Sequence, residues 1–206
     1  LWSVQLPEPA LYAPYSTTDG RICVLTKSNL YCFSIKGKLK WQVTLSSPPA
    51  RQLCETGAAS LLLTLTNKDF VTVSLTGQVL NTKTLKKDIA VLSAAPGGYV
   101  MSTGDGILTY YRSTISQEKN TSSLVPQGET DGFAVWQTQE TAPLFMQNSG
   151  DELVCIYADG TVSARNITSN KIAWTSKLNS CLTLPLYYSK TDGEYYIACK
   201  SIAAII

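Results

Sequence analysis

Asp19-Gly20-Arg21-Ile22-Cys23-Val24-Leu25-Thr26-Lys27-Ser28-Asn29-Leu30-Tyr31-Cys32-Phe33-Ser34-Ile35-Lys36-Gly37-Lys38-Leu39-Lys40-Trp41 is the stretch that decides the fold. It opens on a turn dipeptide, runs through an apolar segment, turns at Ser28-Asn29, runs through a second apolar segment, and turns again at Gly37 before a tryptophan. Such dipeptides supply the backbone freedom that short hairpins need, while Ile, Val, Tyr and Phe suit a pleated, half-buried surface. The stretch predicts successive antiparallel strands, B, C and the start of D, and shows no 3.6-residue periodicity that would argue for a helix. Residues 151–174 repeat it, with Ala158-Asp159-Gly160-Thr161-Val162-Ser163-Ala164-Arg165 and Ile172-Ala173-Trp174.

Working outward, tryptophans stand at 2, 41, 136 and 174, and Asn81 fills the same slot after Gly77-Gln78-Val79-Leu80. The five unit starts are spaced 39, 40, 55 and 38 residues apart, so the third unit carries an insertion over residues 113–132. A period near 40 marks a repeat architecture. First turns recur at Asp19-Gly20, Thr56-Gly57, Gly97-Gly98, Ser149-Gly150 and Asp192-Gly193, and second turns at Ser28-Asn29, Lys68-Asp69, Asp105-Gly106, Asp159-Gly160 and Lys200-Ser201. Each unit reads as a four-stranded meander, A to D, and such sheets repeated radially are propeller blades. The last unit ends after strand C, while residues 1–5 read as a D strand without a blade. The expectation is an all-β, five-bladed β-propeller of four-stranded antiparallel blades, one domain over residues 1–206, closed by the N-terminal strand pairing with the last blade so that no edge is left open. An arc cut from a larger ring is the alternative.

Composition narrows the function. Of the 206 residues 44% are hydrophobic and 16% charged, which suits a globular chain, and 17 basic against 15 acidic residues leave a net charge of +2 with no basic field. Neither nucleic acid nor anionic lipid is expected as a partner, and no apolar run is long enough to insert in a membrane. Six cysteines lie at 23, 32, 54, 155, 181 and 199, without a CxxC pair and without any histidine, so no metal site is expected. They sit in or beside strand-like runs, where free cysteine is a small buried hydrophobe. Cys23 and Cys32 would face each other across a hairpin turning at Lys27-Ser28, and could bridge only if the register is right.

The order of small or Pro-containing A strand, Asp-Gly, B strand, Asp-Gly, C strand and tryptophan-bearing D strand resembles the pyrroloquinoline quinone (PQQ) repeat, over the whole chain. The resemblance implies a propeller and leaves two kinds of function: quinoprotein dehydrogenases, and non-enzymatic propellers such as the BamB-like outer-membrane assembly scaffolds. The dehydrogenases carry an adjacent Cys-Cys pair over the quinone, which this sequence lacks. Its aspartates at 19, 69, 105, 159 and 192 fall in turns, where Asp satisfies local backbone donors. A five-bladed carbohydrate-active enzyme would need paired acids on the A strands, at residues 11–15, 52–55, 89–94, 144–147 and 183–188, and these hold only Glu55.

The sequence reading is therefore a non-enzymatic, monomeric scaffold that takes no cofactor and binds a protein partner through rim loops, in an extracytoplasmic setting, periplasmic or cell envelope. A degenerate quinoprotein oxidoreductase or carbohydrate-active propeller is the alternative. The candidate partner-binding residues are Ser47 and Pro48 in one D-to-A loop, Lys86 and Lys87 in the next, and Gln117, Glu118, Lys119 and Asn120 in the insertion. Connections on a rigid scaffold are where binding is usually placed.

Overall fold

The computed structural model describes residues 2–56, 59–112 and 133–178, together with the backbone of three further strands at 187–189, 194–198 and 203–205. All regular structure among them is β. The first sheet comprises β1 (Tyr15–Ser16), β2 (Ile22–Leu25), β3 (Asn29–Phe33) and β4 (Leu39–Thr44), and the second β5 (Cys54–Glu55), β6 (Ser60–Thr64), β7 (Asp69–Ser74) and β8 (Val79–Thr84). The third holds β9 (Ile89–Ala95), β10 (Gly98–Thr103), β11 (Ile107–Arg112) and β12 (Phe133–Gln139), and the fourth β13 (Phe145–Ser149), β14 (Glu152–Ile156), β15 (Thr161–Asn166) and β16 (Ile172–Lys177). A last sheet has three described strands, β17 (Tyr187–Ser189), β18 (Glu194–Ala198) and β19 (Ala203–Ile205). Every sheet is an antiparallel meander in chain order.

Among the described residues the turns fall where the dipeptides placed them, while Gly57 of the second unit's first turn, Asp192-Gly193 and Lys200-Ser201 lie outside the described residues. Thr26 N–H donates to Asn29 O (2.9 Å), Gly106 N–H to Thr103 O (3.0 Å) and Gly160 N–H to Tyr157 O (3.0 Å), each closing a B-to-C turn. Residues 113–132 join β11 to β12, whose register runs up to Arg112 opposite Phe133; the insertion itself lies outside the described residues. Two expectations differ in detail. The A strands of the first two sheets shrink to two residues each, because Pro14 brings no N–H to the ladder and Gln52 instead sends its side-chain amide to Ala13 O at 2.7 Å. Residues 2–5, expected as a D strand, form no strand.

The chain divides after Lys87 into two compact units. In the first, the facing sides of two sheets share a core of Cys23, Leu25, Leu30 and Cys32 with Leu61, Leu63, Val71 and Val73, bordered by Tyr15 and Trp41. In the second, Val100, Leu108 and Tyr110 meet Leu153, Cys155 and Ile167, bordered by Trp136, and the other side of the fourth sheet packs Val154, Ile156, Val162 and Ala164 with Trp174. Central strands are buried on both faces and D strands on one, as stacked sheets require.

The recurring tryptophan is a latch. Trp41 Nε1 donates to Leu75 O at 2.8 Å while its indole lies over Gly77, in the C-to-D turn of the next sheet. Gly77 has φ +87°, and a Cβ there would come within 2.5 Å of Trp41 Cγ, so both backbone and space demand glycine. Trp2 repeats the arrangement, donating to Ile35 O at 2.7 Å over Gly37, and Trp136 donates to Ile167 O at 2.5 Å. A β-bulge aims each slot: Cys32 pairs with Trp41 but Phe33 with Leu39, so Lys40 is skipped. Leu80, Val135 and Ala173 are skipped in the same way. Bulges commonly re-aim a neighbouring side chain. Here they come one residue before the slot in all four complete sheets.

Candidate functional site

Alternating strand direction puts the B-to-C turns and the D-to-A connections at one end of each sheet, and the backbone ties them together. Leu45 N–H donates to Ser28 O, Leu85 N–H to Lys68 O, Glu140 N–H to Gly106 O and Leu178 N–H to Gly160 O, all within 2.8–2.9 Å. The chain then crosses to the next sheet, where Leu11 N–H meets Leu25 O (2.9 Å), Ala50 N–H meets Thr64 O (2.8 Å) and Leu144 N–H meets Ile156 O (2.7 Å). The result within each unit is a rim of fastened connections.

Ser47 and Pro48 are part of that fastening. Ser47 Oγ lies 2.6 Å from Thr66 Oγ1, and Pro48 O accepts Thr66 N–H at 2.8 Å. Beside them Asp69 accepts Thr84 Oγ1 (2.6 Å), Asn67 Nδ2 (2.7 Å) and Ser46 Oγ (3.1 Å), and these donors, Thr84 first, hold its carboxyl below the usual range. Lys86 and Lys87 stand exposed on the following connection. The structure thus seats Ser47 and Pro48 against Thr66 and places the two lysines on a separate loop, whereas Gln117, Glu118, Lys119 and Asn120 lie outside the described residues.

In the second unit the same rim opens into a cavity of about 380 Å³ lined by Glu140, Thr141, Tyr157, Ala158, Asp159 and Thr161. Behind it, Arg165 is only 3% exposed and bonds Glu140 Oε2 through Nη2 at 2.6 Å and Asn170 Oδ1 through Nη1 at 2.9 Å. Tyr157 donates its hydroxyl to Glu140 Oε1 at 3.1 Å, and burial raises its pKa above the ordinary phenol value, so it serves as a neutral donor. Burial opposes the Arg165 charge, and Glu140, together with Cys155 and Tyr157, more than offsets this. Arg165 Nε and Ser163 Oγ are buried without a partner among the described residues. On the outer wall, Asp159 takes Lys177 Nζ at 2.7 Å and Thr161 N–H at 2.9 Å, which hold its pKa at about 2. The cavity is lined by hydrogen-bonding groups whose charges are already paired.

Glu140 was visible in the sequence only as a loop residue, and Arg165 only as the end of a repeat. The available signal was alternation: in Val162-Ser163-Ala164-Arg165 both Ser163 and Arg165 fall on one face of a central strand, where a charge needs a partner. The A-strand acid, Glu55, is likewise consumed. Only 3% exposed, it accepts Thr18 N–H (2.8 Å) and Thr18 Oγ1 (2.6 Å) from the neighbouring sheet's first turn. The Tyr15 hydroxyl accepts Glu55 N–H at 3.2 Å, and burial pushes its pKa up to about 12. The turn aspartates bind their own turns, as Asp19 does Thr17 Oγ1 and Asp105 does Thr103 Oγ1, both at 2.6 Å.

No family model and no curated protein sequence matches the chain. Among solved structures it is similar to a crystal structure of BBS1N in complex with ARL6DN, soaked with mercury, with a TM-score of 0.67 and 12% identity over 93% of this chain and 61% of that one. The chain spans about three fifths of that neighbour's length. At this identity the likeness shows the fold alone: the neighbour is a β-propeller, and the four-stranded meanders of this chain are propeller-like.

Proposed function

We propose that this chain is a non-enzymatic interaction propeller that presents its rim connections to a protein partner. The observation that carries the reading is the rim itself: turns and crossovers gathered at one end of each sheet and locked by backbone and side-chain hydrogen bonds, a preorganised surface whose acids are engaged in structure. The similar structure was solved as a complex, which agrees with a protein partner. Lys86 and Lys87 offer exposed positive side chains, and the insertion over residues 113–132 offers the longest connection.

The finer architecture belongs to the same proposal. A five-bladed, PQQ-repeat-type ring closes when the N-terminal segment supplies the fourth strand of the last sheet. Trp2 favours this, since its indole already occupies a D-strand latch on the first sheet. The proposed setting is the periplasm or cell envelope, with the scaffold acting as a monomer in assembly there.

The test is affinity capture with quantitative mass spectrometry, comparing the full chain, a Lys86→Glu/Lys87→Glu variant, and a variant with residues 113–132 replaced by a short Gly-Ser linker. A partner retained by the full chain and lost from either variant, with circular dichroism unchanged, supports the rim reading. Stoichiometric uptake of calcium with pyrroloquinoline quinone in native mass spectrometry overturns it in favour of an oxidoreductase.

A further inference from the structure

Cys23 and Cys32 are direct partners across the β2–β3 hairpin. Thr26 N–H bonds Asn29 O at the turn, and bonded and non-bonded pairs alternate along an antiparallel ladder, so Val24 opposite Tyr31 is a bonded pair and Cys23 opposite Cys32 a non-bonded one. Non-bonded pairs bring their Cα atoms to about 4.5 Å, inside the range a disulfide spans. Both thiols point into one apolar cluster with Leu25, Leu30 and Trp41, and they are 1% and 0% exposed. The other described cysteines have no such neighbour: Cys54 lies opposite Leu62, and Cys155 stands between Met146 and Ser163.

We propose that Cys23 and Cys32 form a structural disulfide that staples the first sheet's central hairpin when the chain folds in the presence of a disulfide oxidant. The neighbouring Cys32 thiol, with burial, raises the Cys23 pKa. The co-reactant is a small disulfide such as oxidised glutathione. One cysteine thiolate attacks it, breaking its S–S bond and releasing one glutathione thiolate; the second cysteine thiolate then attacks the mixed disulfide and releases the other. The cysteine pair loses two electrons, the reagent gains them, and the two protons pass to the released thiolates. Because both sulfurs are buried in the folded hairpin, exchange takes place while the hairpin is still open, and the finished bond is shielded from reductants. Such a bond persists in oxidising compartments and is rare in reducing ones. The proposal is independent of the interaction reading.

The experiment refolds the full chain from denaturant with a glutathione redox buffer, alkylates free thiols and maps tryptic peptides. Cleavage after Arg21, Lys27 and Lys36 puts Cys23 on residues 22–27 and Cys32 on residues 28–36, so the bridge appears as one linked pair. The expected result is that this pair dominates, that Cys54 and Cys155 are recovered alkylated, and that the urea midpoint of the oxidised protein exceeds that of the reduced protein. A Cys23→Val/Cys32→Val variant should show no redox-dependent difference in midpoint. If the linked pair is no more abundant than the about one fifth expected from random pairing of six cysteines, or if both sulfurs are alkylated in folded, oxidised protein, the proposal fails.

Discussion

The latch between Trp41 and Gly77 permits a quantitative test of what holds neighbouring sheets together. Trp41 is half-buried, spreads its indole over the Gly77 turn and hydrogen-bonds Leu75 O, a carbonyl that Arg21 Nη1 also reaches. A fully buried Trp→Ala change costs about 3–5 kcal/mol, so Trp41→Ala should cost about 2–3 kcal/mol. Trp41→Phe keeps most of the area and loses one hydrogen bond, about 1 kcal/mol, since Leu75 O keeps its second donor. Gly77→Ala meets two penalties: positive φ, about 1–2 kcal/mol, and a Cβ within 2.5 Å of the indole. Only the second disappears when the ring is gone. Gly77→Ala should therefore cost about 3 kcal/mol in the wild type and about 1–2 kcal/mol in Trp41→Ala, a coupling of about 1–2 kcal/mol that urea unfolding followed by circular dichroism resolves. Equal costs in the two backgrounds would refute the claim that the ring is why this turn needs glycine.

Further outcomes follow from the same geometry. Glu140→Gln should cost about 3 kcal/mol because it strands a buried cation, and Arg165→Met less, about 1–2 kcal/mol, because Glu140 keeps some solvent; equal urea midpoints for the two would contradict this asymmetry. Cys54 and Cys155, whose pKa values burial pushes up to about 12, should resist iodoacetamide until the chain unfolds. Their folded pKa lies above the unfolded value near 9, so the stability they contribute is present below pH 9 and lost as pH rises toward 12; replacing both by Val should flatten that alkaline limb in thermal melts. Asp159 runs the other way, its folded pKa of about 2 lying below the ordinary aspartate value of 3.8, so its contribution holds above that value and fades as pH falls toward 2; Asp159→Asn should remove that part of the acid limb.

What could be read from the chain was local, and what could not depended on where distant strands meet. Turn dipeptides and apolar runs act over a few residues, so the meanders and the junction carrying the insertion were legible. Glu140, Tyr157 and Arg165 converge only because one connection crosses to the next sheet and a central strand turns its polar face toward it, and no short-range pattern encodes that crossing. The tryptophan slot was legible as a packing position, but its carbonyl acceptor in the next C-to-D turn, and the bulge that aims it, were not. The bulge residues Lys40, Leu80, Val135 and Ala173 share no chemistry, because a bulge selects for backbone position rather than side chain.

Once the latch is known, an oddity of the sequence has a physical cause. At three slots the indole is received by a tight C-to-D turn of the following unit: Trp2 by the turn at Gly37, Trp41 by that at Gly77, and Trp136 by that at residues 166–171. The one slot without tryptophan, Asn81, precedes the one unit whose C-to-D turn is replaced by the insertion over residues 113–132. At the four slots from Trp2 to Trp136, tryptophan goes with a short following C-to-D connection and its absence with the long one, as expected if donor and receiving turn form one interaction rather than two independent features of the repeat.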